Sequence, residues 1–320
     1  MNSTTQTPPH PPGQTGPTAA PPSAVVGLGP APPSRPSPER NRWKLSSKGR
    51  HRLLVYSLLV MGSLLMLAPF FWMVSNSLKT EAEAMQAPPA LLPEQPRWEN
   101  YPSAMRKMNF ANAAANTIVV TFCCIVGQVI SSSLVGFGFA RFRFRGRGPL
   151  FAVMMATMLL PPQVTMIPLF LLFRMAGLID TLLPLIIPAM LGQPFFIFMF
   201  RQFFAQIPEG LLEAARIDGA SHWTIYWRIM LPLSQPVIAI VAIYTFMQTW
   251  NDFLSPLIYL NSPEKETLAL ALNSFNSEYG VRNANELMAA SFLTMLPCLA
   301  IFFAAQRYFV QSVTGTGLKE

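Results

Sequence analysis

Residues 208–236, PEGLLEAARIDGASHWTIYWRIMLPLSQP, form a charged, helix-ready segment between two very apolar stretches. Across this segment the chain leaves an apolar medium, offers a shaped polar projection, and returns. Pro208 suits the first residue of a short helix, where its missing N–H costs nothing. Ile207, Leu211 and Ala215 recur every four residues and define an apolar face, with Glu209, Glu213 and Arg216 elsewhere on the helix. Asp218-Gly219 is a turn and helix-stop pair, because glycine reaches positive φ without strain. Ser221 then caps a second helix through His222, Trp223, Tyr226 and Trp227 into Leu231 and Pro232. The aromatics suit a membrane interface. Two short helices joined at an angle make a rigid knob about the size of a groove on another protein. The same pattern also fits an ordinary amphipathic loop in which Glu213 and Arg216 pair at i,i+3.

Composition settles the medium. Apolar residues make up 51% of the 320 and charged residues only 12%, whereas soluble domains carry roughly a quarter charged. Spanning a hydrocarbon core takes about 20 helical residues, and six apolar runs fit: about 53–74, 116–140, 150–173, 182–200, 237–254 and 289–309. The expected fold is therefore an all-α integral membrane protein of six transmembrane helices. Residues 1–50 are rich in Pro, Ser, Thr and Gly and read as a disordered tail. The first span lacks the short leader and small-residue cleavage site of a secretory signal and reads as uncleaved. Residues 75–111 form an external connection, 201–236 the projecting loop and 311–320 a C-terminal tail. Cys123, Cys124 and Cys298 all lie within apolar runs, with no metal-ligand or disulfide spacing.

Charge orients the bundle. With the N-terminus inside, 16 of the 23 Lys and Arg fall in cytoplasmic segments and seven in external loops, as the positive-inside rule requires. Both termini are then cytoplasmic. Arg141, Arg143, Arg145 and Arg147 alternate with phenylalanines in one short loop; a cytoplasmic turn explains them, and no nucleic-acid partner is needed.

The third span contains Pro161, Pro162 and Pro168, and the fourth Pro184, Pro188 and Pro194. Membrane helices tolerate proline where neighbours or water satisfy the freed backbone groups. These kinks fit either a bundle around a polar path or simple packing adjustments. Asn251 and Asp252, near the outer end of the fifth span, are the leading candidate path-lining residues, with Gln128, Gln163, Thr165 and Gln193 weaker. Asp252 also lies close enough to a span boundary to meet water directly. No phosphate-binding Gly-x-x-x-x-Gly-Lys-Ser/Thr loop occurs, and no nucleophile–base pair or carboxylate dyad stands out. The chain reads as a transport component rather than an enzyme, with no cofactor of its own.

The run EAARIDGAS, followed later by LP, resembles the motif shared by membrane subunits of ATP-binding-cassette (ABC) importers: Glu-Ala-Ala, three residues, Gly, then hydrophobic-Pro. LLPPQVTMIPLF, QTWNDFLSPLIYL and QRYFVQSVTGTGLKE are similar to the carbohydrate-uptake branch, which includes the smaller permease of the maltose importer. This resemblance covers roughly residues 50–320 and implies a type I importer permease core over 112–310. It implies that the knob is a coupling helix docked in a cleft on a cytoplasmic ATPase. Glu213 would make the charged contact, Ala214 and Ala215 would permit close approach, and Asp218 and Gly219 would form the bend. It further implies two ATPase subunits that bind ATP-Mg, a second homologous permease, an extracytoplasmic sugar-binding protein and a bacterial inner-membrane location. The tail Gln311–Glu320 would lie between the ATPases. Competing readings are an ABC permease for a non-sugar solute, a secondary transporter, which would need inverted repeats and its own ion site, and a membrane scaffold.

Overall fold

The computed structural model describes residues 47–279 and 283–314, which contain helices and no strand. The Pro-rich tail up to residue 46, Arg282 and the end of the C-terminal tail, 315–320, lie outside the described residues. By its contacts the chain divides into Met1–Leu58 and Leu59–Glu320.

The first helix, α1, runs Ser47–Ser77. Every residue from His51 to Phe71 is exposed, although nearly all of Leu53–Phe71 is apolar, so the surface suits lipid rather than water. A polar knot ends this helix. Asn100 Nδ2 donates to the Ser77 and Lys79 carbonyls at 2.8 and 2.9 Å, and Asn285 Nδ2 reaches the Lys79 carbonyl and Asn100 Oδ1. Lys79 itself is buried; its Nζ donates to Asn76 Oδ1 at 2.7 Å and to the Ala90 carbonyl, and lies 4.7 Å from the Trp72 ring. Burial pushes the Lys79 ammonium below its ordinary pKa, against a raising effect from Glu83. Two short helices follow, α2 (Glu81–Ala84), opened by a Thr80–Glu83 capping box, and α3 (Asn100–Lys107).

Helix α4 (Phe110–Arg141) is the axis of the unit, 32 residues and about 48 Å long. After α5 (Arg147–Ala156) and a 3₁₀ turn comes α6 (Pro162–Met175), then α7 (Leu183–Met190) and α8 (Pro194–Gln206). Helices α7, α8 and α12 (Gln235–Trp250) all pack against α4, with α9 (Glu209–Ile217), α10 (His222–Ile225) and α11 (Leu231–Leu233) between α8 and α12. The chain closes with α13 (Leu254–Tyr259), α14 (Leu268–Tyr279) and α15 (Ala284–Thr314).

Small residues set the closeness of α4 to its neighbours, as expected where lipid removes the hydrophobic drive between helices. A Cβ at Gly136 would lie 2.7 Å from Phe200 Cβ and 3.1 Å from the Ile197 carbonyl oxygen; at Gly127 it would lie 2.9 Å from Met190 Cγ. Phe196, Phe200 and Phe204 of α8 are fully enclosed in this contact.

Among the described residues, four helices are long and apolar enough to cross a membrane: His51–Ser77, Phe110–Arg141, Leu183–Gln206 and Ala284–Gln306. Two bent pairs raise the number to six if each counts as one span. The expected single helix over 150–173 is instead Arg147–Leu159 and Pro162–Met175, bent by 97°. Pro161 and Pro162 withdraw two successive backbone donors, and Leu160 before them takes extended angles, φ −80° and ψ 119°. The expected span from 237 begins at Gln235 and meets His222–Leu233 at 74°, with Ser234 and Pro236 at the corner.

Asp180, at φ +60°, clasps the α6–α7 loop to the segment after α13. Its Oδ1 accepts from the Asn261 and Ser262 N–H groups at 3.0 and 2.9 Å, while Oδ2 accepts from Ser262 Oγ and pairs with Lys265 Nζ at 3.2 Å. The Ser262 hydroxyl, then the Asn261 and Ser262 amides, hold this carboxyl well below the usual range.

Candidate functional site

The projecting loop folds into a knob of two helices. Helix α9 starts at Glu209; Pro208 stands one place earlier than expected, at the cap, with φ −57° and ψ 136°. Gly219 ends it at φ +82°. The Ala220 N–H reaches the Ala215 carbonyl at 2.9 Å and the Gly219 N–H the Arg216 carbonyl at 3.0 Å, the paired bonds of a Schellman stop. Ser221 caps the second helix, its Oγ accepting from the Thr224 N–H at 3.1 Å. That helix passes through a π-helical segment, Tyr226–Met230, a local irregularity frequent at functional sites.

The buried face differs from the expected one. Leu212, 2% exposed, anchors α9 in a cluster with Phe204, Ile225, Tyr226 and Met230, whereas Leu211 is 45% exposed. Ile207 and Ala215 pack against the same cluster. Glu213, Ala214, Asp218 and Gly219 are exposed, and Ile217 is 87% exposed. No ion pair joins Glu213 to Arg216 among the described residues.

Helix α4 fastens this knob at two points. Arg141 Nη2 donates to the Ile207 carbonyl at 2.6 Å and to the Phe204 carbonyl, bridging the end of α8 and the start of the knob. On the other side Ser133 Oγ and Tyr226 OH share a buried hydrogen bond of 2.7 Å, with the Phe137 ring 5.4 Å from that of Tyr226. Neither residue is marked out by sequence: Arg141 is one of four similar arginines, and Tyr226 one of several interfacial aromatics. Phe142 packs on Phe137 and His222, and Phe144 on Phe139, so these loop rings are engaged within the chain.

A second site lies where three helices start. Gln163 near the start of α6, Gln193 capping α8, and Asp252 before α13 line one cavity of about 340 Å³, together with Thr165, Ser255 and Tyr259. Asp252 Oδ1 accepts from the Ser255 N–H at 3.2 Å. Asn251 parts from its neighbour: its Nδ2 turns back to the Met247 carbonyl at 2.8 Å, and it lines a separate pocket with Trp250, Thr294 and Cys298. Gln128 is 1% exposed; with its amide oriented to satisfy both neighbours, it bridges the Ala189 carbonyl and the Gln193 N–H across the α7–α8 break. It closes a gap in the backbone hydrogen bonding instead of lining the cavity.

Apolar helices are thus interrupted around a polar cavity and carry a firmly seated polar knob. Residues 132–315 match the family described as "Binding-protein-dependent transport system inner membrane component". The arabinooligosaccharides permease AraQ of Bacillus subtilis is 34% identical over 272 residues, 84% of this chain and 96% of that one. The lactose permease LacG of Rhizobium radiobacter is 31% identical over 82% of this chain and 95% of its own. The sn-glycerol-3-phosphate permease UgpE of Yersinia enterocolitica is 30% identical over 82% and 95%. A bacterial ABC transporter involved in import of the acidic polysaccharide alginate shares the fold, with TM-score 0.71 and 24% identity over 82% of this chain and 98% of that one. The chain belongs to the family of binding-protein-dependent transport inner-membrane components. It is an ABC-importer permease and not an enzyme, and that family implies an ATPase and a solute-binding protein as partners. Membership sets aside the secondary-transporter and scaffold readings.

Proposed function

We propose that this chain is one of two permeases of a bacterial inner-membrane importer for a sugar or oligosaccharide, driven by two ATPase subunits that bind ATP-Mg. It crosses the membrane six times with both termini cytoplasmic, each bent pair serving as one span. Helix α9 is the coupling helix, with Glu213 as the charged contact, Ala214 and Ala215 allowing close approach, and Asp218-Gly219 setting the bend. The cavity at Gln163, Gln193 and Asp252 lies on the solute path, and Asn251 faces a neighbouring pocket. Closure of the ATPases on ATP pulls the knob and reorients the bundle by alternating access.

One observation carries this reading. Leu212 and Ala215 seat α9 in the cluster shared with α4, Arg141 and Tyr226 fasten its two flanks to α4, and Glu213, Ala214, Arg216 and Ile217 are exposed. A rigid projection with an unpartnered mixed face is what a motor on another chain needs to grip. The relatives named for lactose and arabinooligosaccharides support the sugar class. Replacing Glu213 by alanine should lower both uptake and co-purification of the ATPase about tenfold or more, the scale of a lost interfacial charge contact, with membrane insertion intact. Unchanged uptake and co-purification would remove Glu213 from this role.

A further inference from the structure

The cavity at the three helix starts has a one-sided chemistry. Its polar lining is two carboxamides, three hydroxyls and one carboxylate, with no lysine, arginine or histidine. Among the described residues, neither the Gln163 nor the Gln193 side-chain amide has a protein hydrogen-bond partner. Both are exposed beside breaks in apolar helix pairs. Amides left unpaired in an apolar medium are costly, so these groups require water, a polar solute or a polar group of a partner subunit opposite them. Carboxamides and hydroxyls each offer donors and acceptors, as sugar hydroxyls do. Asp252 uses Oδ1 to cap α13, and among the described residues Oδ2 has no hydrogen bond, leaving its charge uncompensated by any lining cation.

We infer that this cavity is a solute subsite belonging to this chain, that it takes an uncharged polyhydroxylated solute, and that Asp252 turns anions away. The inference rests on the reading that the cavity lies on the solute path. A phosphate ester or an acidic polysaccharide, the solutes for which two similar proteins are named, would carry the charge that this lining disfavours. An anion here meets a like charge in a partly enclosed space with no counter-ion, where electrostatic effects exceed those in bulk water.

The test uses the assembled importer in proteoliposomes, with Gln163→Cys introduced after replacing Cys123, Cys124 and Cys298 by alanine. Rates of modification by a trimethylammonium-ethyl and a sulfonatoethyl methanethiosulfonate are compared with their rates on a small free thiol. We expect the cationic reagent to be favoured by about tenfold or more over the free-thiol ratio, and Asp252→Asn to bring the ratio back towards it. A ratio equal to that of the free thiol overturns the charge inference and leaves the cavity on an aqueous path. No reaction with either reagent, while a Gln86→Cys control on the exposed external connection reacts, overturns the path reading itself. Thr165→Cys serves as a second reporter if Gln163→Cys does not assemble. The intact importer should not accumulate radiolabelled sn-glycerol-3-phosphate; accumulation would also overturn the inference.

Discussion

Replacing Arg141 by methionine is expected to uncouple the importer without releasing its ATPase. The guanidinium holds the Phe204 and Ile207 carbonyls together, at the last turn of α8 and the residue before the knob. Charge-assisted bonds of this kind contribute about 1.5–3 kcal/mol each, and methionine supplies the bulk with none of them. The outer face of α9 stays intact, so the ATPase still docks, but a pull on the knob is spent moving it relative to α4. The readout is stimulation of ATP hydrolysis by the solute-binding protein, which should fall about tenfold while co-purification of the ATPase stays near wild type. Arg141→Lys should recover part of the stimulation, because one ammonium can still reach a carbonyl. Tyr226→Phe should show the same pattern more weakly, since it removes one neutral hydrogen bond to Ser133. Loss of ATPase binding in Arg141→Met, or full stimulation, would show that Arg141 does not transmit the motion.

The second large effect belongs to Gly136. A Cβ there would stand 2.7 Å from Phe200 Cβ and 3.1 Å from both the Ile197 carbonyl oxygen and the Arg201 nitrogen. Those atoms are backbone or next to it, so they cannot swing aside as a side-chain tip can. Valine at this position must force α4 and α8 apart, at a cost of about 1–3 kcal/mol or more. The consequence reaches the knob, because α8 leads directly into α9. Gly136→Val should lower the thermal midpoint of the detergent-purified protein by several degrees and abolish uptake. Gly138→Ala provides the control, as nothing lies within 4 Å of a Cβ there. Equal thermal midpoints for the two variants would contradict the close α4–α8 contact.

How far the sequence discloses this arrangement depends on whether a feature is local. The stop at Gly219 and the cap at Ser221 are legible because each is decided by its own φ, ψ and hydrogen bonds. The phase of α9 is not legible. Leu211 and Leu212 are adjacent and both leucine, and only Phe204, Ile225 and Tyr226 arriving from elsewhere select Leu212. Pro161 and Pro162 announce a disturbance in the third span, but its 97° size depends on the extended Leu160 and on what packs beyond it. Asn251 and Asp252 look like one candidate in sequence. The end of α12 separates them, because Asn251 turns back to Met247 while Asp252 caps the next helix. Gln128 fails as a path-lining residue for a similar reason: the backbone groups it bridges, at Ala189 and Gln193, lie 61 and 65 residues further along the chain. Arg141 shares its charge and setting with Arg143, Arg145 and Arg147, and only the approach of α8 distinguishes it.

In this mechanism a motor inside the cell grips the outer face of α9. The most direct measurement places a thiol at the 87%-exposed Ile217 by Ile217→Cys and treats cells with a membrane-impermeant maleimide. We predict no labelling in intact cells, labelling in inverted vesicles stripped of the ATPase, and protection when the ATPase is restored. Labelling from outside intact cells would place the knob on the wrong side of the membrane for such a motor.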